Sequence, residues 1–126
     1  MKLILAFLLF TGLAFAQHSV TSTWMWAQGT GDPATGFNIK RGTATGGPYT
    51  TVGSVTCPAN PCQAATAVYT FTDTASPTNA LTPGNTYFYV ATATGPGGES
   101  APSNETSVKI PATPPAAPTS LSSTAK

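Results

Sequence analysis

The sequence has few of the residues on which most metal-binding sites depend. Its 126 residues include five basic residues, four acidic residues, one histidine and two cysteines. Zinc normally takes four nitrogen or sulfur ligands, and calcium takes several convergent oxygen ligands. A formal net charge of +1 gives no field that would attract nucleic acid or an anionic membrane. We therefore expect no metal, no cofactor and no nucleic-acid partner.

The sequence also lacks the groups that a hydrolase needs. No G-x-S-x-G nucleophile motif is present, and the single histidine, His18, begins a strand-like segment, where a surface role is typical. A glycosidase needs two carboxylates held close together, but Asp32 precedes Pro33 in a segment typical of a turn. The sequence predicts no catalytic residue and no enzyme activity.

The longest apolar run lies at the N-terminus and is short. Leu3–Phe10 follows the positive Lys2 and ends before Thr11-Gly12, well short of the roughly 20 residues that a membrane span needs. Ala14-Phe15-Ala16 then matches a signal-peptidase site. Residues 1–16 are therefore predicted to be a signal peptide, and the mature chain to begin at Gln17 and to be secreted or held at the cell surface.

The two cysteines lie close together in the segment CPANPC. In an oxidising extracellular compartment, Cys57 and Cys62 are expected to form a disulfide. A ring this small adds roughly 2 kcal/mol of stability on the chain-entropy model. Pro58 and Pro61 already stiffen the loop, so the disulfide is expected to fasten a loop and not to hold the fold together.

What the mature chain does have is threonine, aromatic residues and a pattern of alternating apolar and polar positions. Gly and Pro interrupt it too often for a ten-residue helix, and short segments with a period of two predict an all-β sandwich or barrel. The predicted strands are His18–Ala27, Phe37–Arg41, Tyr49–Val55, Ala67–Thr74, Asn85–Thr94 and Glu105–Ile110. GPGGESAPSN, before the last strand, is predicted to be a loop.

The segment LTPGNTYFYVATA, Leu81–Ala93, resembles the corner between strands E and F of a fibronectin type III domain. In that family a leucine and a Pro-Gly turn lead into a tyrosine at the start of strand F. The resemblance implies that Tyr87 is this tyrosine, with its hydroxyl bonded to backbone a few residues upstream. It also implies that Leu81 and Tyr87 are core anchors.

Three further segments agree with the same family in order and spacing. HSVTSTW resembles strand B, with Trp24 as the buried tryptophan; GFNIKRGT and GGPYTTVG resemble strands C and C′ of bacterial members; GGESAPSNE resembles the F–G loop. The resemblance implies an immunoglobulin-like sandwich of two antiparallel sheets over residues 17–111. It also implies that Asp73 shapes the end of strand E, and that the chain is a bacterial, non-enzymatic interaction or structural module.

The departures from the family pattern leave two roles open for Trp26. Ser22 and Ala91 are smaller than the usual residues, so Trp26 either fills the space that they leave or is partly exposed and binds a ligand. In the second case the chain is an accessory polysaccharide-binding module, with Trp26 or Tyr49 stacking on sugar. The outward faces are rich in Thr and Ser, and Met25, Phe88 and Val90 also point outward by alternation.

The last segment, residues 112–126, is a Pro-rich linker followed by a tail that resembles strand A of the same family. The family's strand A is missing at the N-terminus, because the strand B segment begins at His18. One interpretation is that PPAAPTSLSST, anchored by Leu121, is donated to another copy and builds a head-to-tail filament. The other is a disordered tail, left over from a lost second repeat.

Overall fold

The computed structural model describes residues 18–59, 61–62 and 67–126. The predicted signal peptide and Gln17 lie outside these residues. The strands are β1 (Ser19–Met25), β2 (Gly36–Gly42), β3 (Tyr49–Thr56), β4 (Val68–Thr74), β5 (Thr86–Gly95), β6 (Gly98–Glu99) and β7 (Thr106–Lys109).

Two antiparallel sheets form a sandwich. One sheet contains β1 and β4, and the other has the order β3-β2-β5, with β6 and β7 each pairing with β5. The described part of the chain contains no helix, and therefore none that is long and apolar enough to cross a membrane. The prediction of an all-β sandwich is confirmed.

The core lies between the sheets and is built from alternate residues of each strand. Phe37 of β2 is the centre of an aromatic cluster: its ring lies 4.7 Å from Tyr69, 5.4 Å from Trp24 and 5.9 Å from Trp26, measured between ring centroids. Rings at such distances in tilted and edge-to-face arrangements attract each other in addition to burying apolar surface. This cluster holds β1, β2 and β4 together at one end of the sandwich, which we call the Trp26 end.

The opposite end of the sandwich, which we call the Asp73 end, is where β1 and β5 begin and where β4 and β7 finish. Ser19 pairs with Thr74 there, and Thr86 pairs with Lys109. The chain therefore leaves the last strand at the Asp73 end.

The structure differs from the sequence prediction in the segment before the last strand. Gly98–Glu99 forms the short strand β6, which pairs with Thr94 and Gly95 across a tight turn. Gly98 has φ +107, a conformation that side-chain-bearing residues rarely adopt. The predicted loop is therefore a hairpin followed by an irregular segment.

Val90 points outward as alternation predicts, but it is buried. It pairs with Lys40 across the strands, and the Lys40 ammonium reaches Glu99 at 2.8 Å. The apolar stem of a lysine can cover neighbouring apolar surface while its charge stays in water. Val90 is 5% exposed, whereas Met25, another outward residue, is 70% exposed. An outward direction therefore does not make a residue of β5 exposed.

The tail after Ile110 has no strand, and all of its residues are exposed. Leu121 is 92% exposed. Ser120 has φ 62, so the tail is bent there and not extended.

Candidate functional site at the open edge of β1

One edge of β1 has no partner strand among the described residues. β1 pairs with β4 from Ser19–Thr74 to Met25–Val68, and no other described strand pairs with it. An unpaired edge presents a row of backbone N–H and C=O groups that can pair with another chain.

A groove of about 270 Å³ runs beside this edge. Ser22 and Trp24 of β1, with Trp26 just after the strand, form one wall, and residues 100–104 form part of the other. The core residues Phe37, Ile39 and Tyr89 also line the groove. None of the described residues that line the groove is charged. The groove therefore leads from solvent to the interior of the sandwich without meeting a charged group.

The wall opposite β1 is already closed by hydrogen bonds to β5. The Ser103 hydroxyl accepts from the Ala91 N–H at 2.9 Å, and the Ser100 hydroxyl accepts from the Ala93 N–H at 2.9 Å. Ser100 and Ser103 in turn donate their own N–H groups to the carbonyls of Ala93 and Ala91. Residues 100–103 thus form hydrogen bonds with the backbone N–H and C=O groups of β5, as a regular strand would. The free strand edge beside the groove is therefore that of β1.

Trp24 lies in the wall of the groove and is partly buried. Its ring stacks on Tyr69 at 6.0 Å and meets the edge of Phe37 at 5.4 Å. Its indole Nε1–H is buried and has no hydrogen-bond partner among the described residues. An unpaired buried donor costs about 1–3 kcal/mol.

Ser22, Ala91 and Trp26 all line the groove. The ring of Trp26 packs against Phe37 at 5.9 Å and is partly buried. The space beside the two small residues is open, so the Trp26 ring contributes a wall of the groove while packing on the core.

Tyr49, the other aromatic residue considered for ligand contact, lies at the Asp73 end, because it pairs with Gly42. Its hydroxyl donates a hydrogen bond to the Glu105 carboxylate. This bond raises the pKa of Tyr49 above its ordinary value. Tyr49 and Trp26 therefore lie at opposite ends of the sandwich and do not form one aromatic platform.

A buried charge network, which the sequence did not reveal, closes the Asp73 end. The Asp73 carboxylate is 1% exposed and accepts hydrogen bonds from Arg41 at 2.7 Å, Asn79 at 2.7 Å and Tyr89 at 2.8 Å. Burial, followed by the bond to Asp73, raises the pKa of Tyr89 strongly. The sequence signal that could have pointed to this network is the alternation of β4, which places Asp73 on the same face as Tyr69. Arg41 also donates to the Asn79 side-chain oxygen at 2.6 Å, so the four side chains form one connected network.

The corner at Leu81 and Tyr87 has the geometry that the resemblance implies. The Tyr87 hydroxyl accepts from the Thr82 N–H at 2.9 Å and lies 3.4 Å from the Ala80 carbonyl oxygen. Leu81 is 3% exposed and Tyr87 is 4% exposed. Both side chains are part of the core.

Cys57 and Cys62 form a disulfide. The Cys57 N–H donates to the Thr35 carbonyl at 3.0 Å, and the Cys62 N–H donates to the Ala34 carbonyl at 2.8 Å. The bridge therefore joins two positions of the loop after β3, and the two backbone hydrogen bonds fasten these positions to the residues just before β2. Across the residues that the structure describes, no three His, Cys, Asp or Glu side chains come together as a metal site.

Comparisons with known proteins agree with this architecture. No protein-family model matches the sequence, and no curated protein matches it. Among solved structures, a Fn3-like protein from Clostridium thermocellum is 26% identical over 75% of this chain and 80% of its own, with a TM-score of 0.45. The twitchin kinase region from C. elegans, which includes a fibronectin type III domain, is 22% identical over 74% of this chain and 14% of its own, with a TM-score of 0.51.

The twitchin match exceeds a TM-score of 0.5 and shows the fold. The two-sheet topology and the corner at Tyr87 agree with it. The chain has a fibronectin type III-like fold, an immunoglobulin-like sandwich of two antiparallel sheets.

Proposed function

We propose that this protein is a non-enzymatic interaction module, secreted or held at the cell surface, and that it binds an extended polypeptide segment along β1. The observation that carries this proposal is the unpaired edge of β1 beside an uncharged groove that reaches the core. The signal-peptide pattern of residues 1–16 and the Cys57–Cys62 disulfide support the extracellular location.

The chemistry of such binding is β-augmentation. An added strand forms main-chain hydrogen bonds with the free edge, and every second side chain of that strand enters the groove. Because the groove wall is uncharged, apolar and small polar side chains fit it best. Binding is then expected to change little with salt concentration, since few charges are involved.

Polysaccharide binding is the alternative function, and the structure offers it less support. Flat sugar-binding surfaces need exposed aromatic rings, whereas Trp26 packs on Phe37 and the Tyr49 hydroxyl is held by Glu105. Enrichment of the protein on an insoluble glycan, lost in Trp26→Ala and kept in Tyr49→Ala, would favour this alternative.

A displayed peptide library tests the proposed function. The mature chain, residues 17–126, is immobilised, and selected peptides are added to protein labelled with ¹⁵N. The chain has two tryptophans, and both line the groove, so the two indole N–H signals report directly on its occupancy. We expect peptides with alternating apolar residues that shift both signals.

Tyr49→Ala serves as the matched control, because Tyr49 is an aromatic residue at the Asp73 end that does not line the groove. It should bind the same peptides as the wild type, whereas Trp26→Ala should bind them more weakly. A library that yields no peptide able to shift the indole signals contradicts the proposal.

A further inference from the structure

We propose that the segment bound along β1 is the C-terminal tail, Pro114–Thr124, of a second copy of this chain. This inference rests on the proposed function, because it names the occupant of the same groove. Each copy would then carry both an acceptor groove and a donor strand.

The tail matches the groove in charge and exposure. The sequence from Pro111 to Ala125 contains no charged residue, and the described groove wall contains none either. The exposed large hydrophobic residues of the described chain are Met25, Val68 and Leu121, and Leu121 is the most exposed of them at 92%. An apolar side chain held in water gains free energy by entering an apolar groove.

The pattern of the tail also suits a strand with one buried face. In an extended strand, alternate residues point the same way, so Thr119, Leu121 and Ser123 share a face. Ser120 and Ser122 occupy the opposite face and would point to solvent. The groove is small, about 270 Å³, and this face offers a single large side chain, Leu121, with small polar residues on either side of it.

The path of the chain favours donation to another molecule over folding back as an antiparallel strand. Such a strand must start at the Trp26 end, whereas β7 finishes at the Asp73 end. β5 has 10 residues, and nine steps of about 3.4 Å make the sandwich roughly 31 Å long. The eight steps from Ile110 to Pro118 reach at most about 27 Å at about 3.4 Å per residue. No residues then remain for reversing direction before Thr119.

The contact is heterologous, because the donor surface and the acceptor surface are different parts of the chain. A head-to-tail contact whose rotation does not close a ring grows into a filament. The expected assembly is therefore a concentration-dependent series of oligomers, with one free groove at one end and one free tail at the other.

Sedimentation velocity of the mature chain, from low micromolar to near-millimolar concentration, tests the inference. We expect the wild type to shift from monomer to larger species, Leu121→Asp to remain monomeric, and Ser122→Asp to assemble as the wild type does. The two variants add the same charge to neighbouring exposed residues, one on the inward face and one on the outward face. Because Leu121 is fully accessible in the free tail, neither variant disturbs the core.

Three results would overturn the inference. The wild type could remain monomeric at the highest concentration, or Leu121→Asp could assemble as well as the wild type. The third is a wild-type monomer whose indole signals change in Leu121→Asp, which would place the tail in the groove of its own chain. In each case the library selection still decides the proposed function, because it uses peptides unrelated to the tail.

Discussion

The two long sides of the sandwich differ, because one is closed by a side chain that spans the two sheets and the other contains a groove. On the β3–β4 side, the ring of Phe71 lies over Gly53 so closely that a Cβ atom added to Gly53 would be 2.2 Å from it. On the β1–β7 side, a groove separates β1 from residues 100–104. Trp24 lines this groove, and its buried Nε1–H has no partner in the described structure. One side is complete within the chain, and the other has room for a further strand.

The difference shows that a scarcity of charge does not by itself create an open edge. β3 and β4 are also the last strands in their sheets. The residues on either side of Gly53 and Phe71, where these two strands meet, are no more charged than those beside the groove. At the level of the Ser22–Phe71 pair, what distinguishes the two sides is a large side chain that crosses from one sheet to the other. Phe71 does this at Gly53, whereas Ser22 and Ala91 are too small to do it beside β1.

The largest effect is expected at the closed Asp73 end. Asp73→Ala leaves the Arg41 guanidinium, whose side chain is 12% exposed, without its carboxylate. Breaking a buried ion pair by removing one partner costs about 3–5 kcal/mol, so the free energy of unfolding in a urea titration should fall by that amount. Asp32→Ala, in an exposed loop, should change it by less than about 0.5 kcal/mol. Equal stabilities of the two variants would show that the network is not structural.

The next comparison is between an aromatic residue at the closed corner and one beside the groove. Tyr87→Ala should cost about 3–5 kcal/mol, as truncation of a buried aromatic ring does. Trp24→Ala should cost less than Tyr87→Ala because Trp24 is only partly buried, although it removes the larger ring. Thermal unfolding of both variants checks the order. A Tyr87→Ala protein that melts like the wild type would contradict the assigned strand register.

Gly53→Ala tests the closure of the β3–β4 side. The added methyl group must displace the Phe71 ring, and overpacking of this kind costs about 1–3 kcal/mol. Gly29→Ala is the control, because a Cβ atom there meets nothing within 4 Å. If both variants unfold at the same urea concentration, Phe71 does not seal this side as described.

The smallest effect is a pH dependence at the outer face of β5. The hydrogen bond from Lys40, with further bonds from Thr92 and Asn38, lowers the pKa of Glu99 from 4.5 to about 2. A carboxyl group whose pKa is lowered by folding stabilises the folded state at pH values above its unfolded-state pKa. This stability is lost as the pH falls from about 4.5 towards about 2. Glu99→Gln should therefore show a shallower loss of stability across that range in acid titration. An unchanged slope would contradict the role of Glu99.

Much of the fold was predictable from the sequence because strand alternation and turn residues are local signals. The resemblance of LTPGNTYF to the corner of fibronectin type III domains predicted the role of Tyr87. The signal-peptide pattern together with the two cysteines predicted the disulfide. Alternation assigns a residue to one face of its strand but does not show which side chains of other segments pack on that face. The burial of Val90 on the outer face and the partners of Asp73 depend on contacts between distant segments, so they required the structure.

The site was predictable only in part. The resemblance predicted that no strand precedes β1, and among the described strands only β4 pairs with β1. The small size of Ser22 and Ala91 was visible in the sequence. The unpaired indole N–H of Trp24 could not be predicted from the sequence, because whether a donor finds a hydrogen-bond partner depends on the three-dimensional surroundings of that atom.

The most direct test of an incomplete β1 edge is the pair of indole N–H signals during titration with a peptide of residues 112–126. The protein is the mature chain carrying Leu121→Asp, so that its own tail does not compete. We predict saturable shifts of both Trp24 and Trp26, one peptide bound per protein, and no shift with a peptide that also carries Leu121→Asp. Indole signals that stay in place at saturating wild-type peptide would contradict the account.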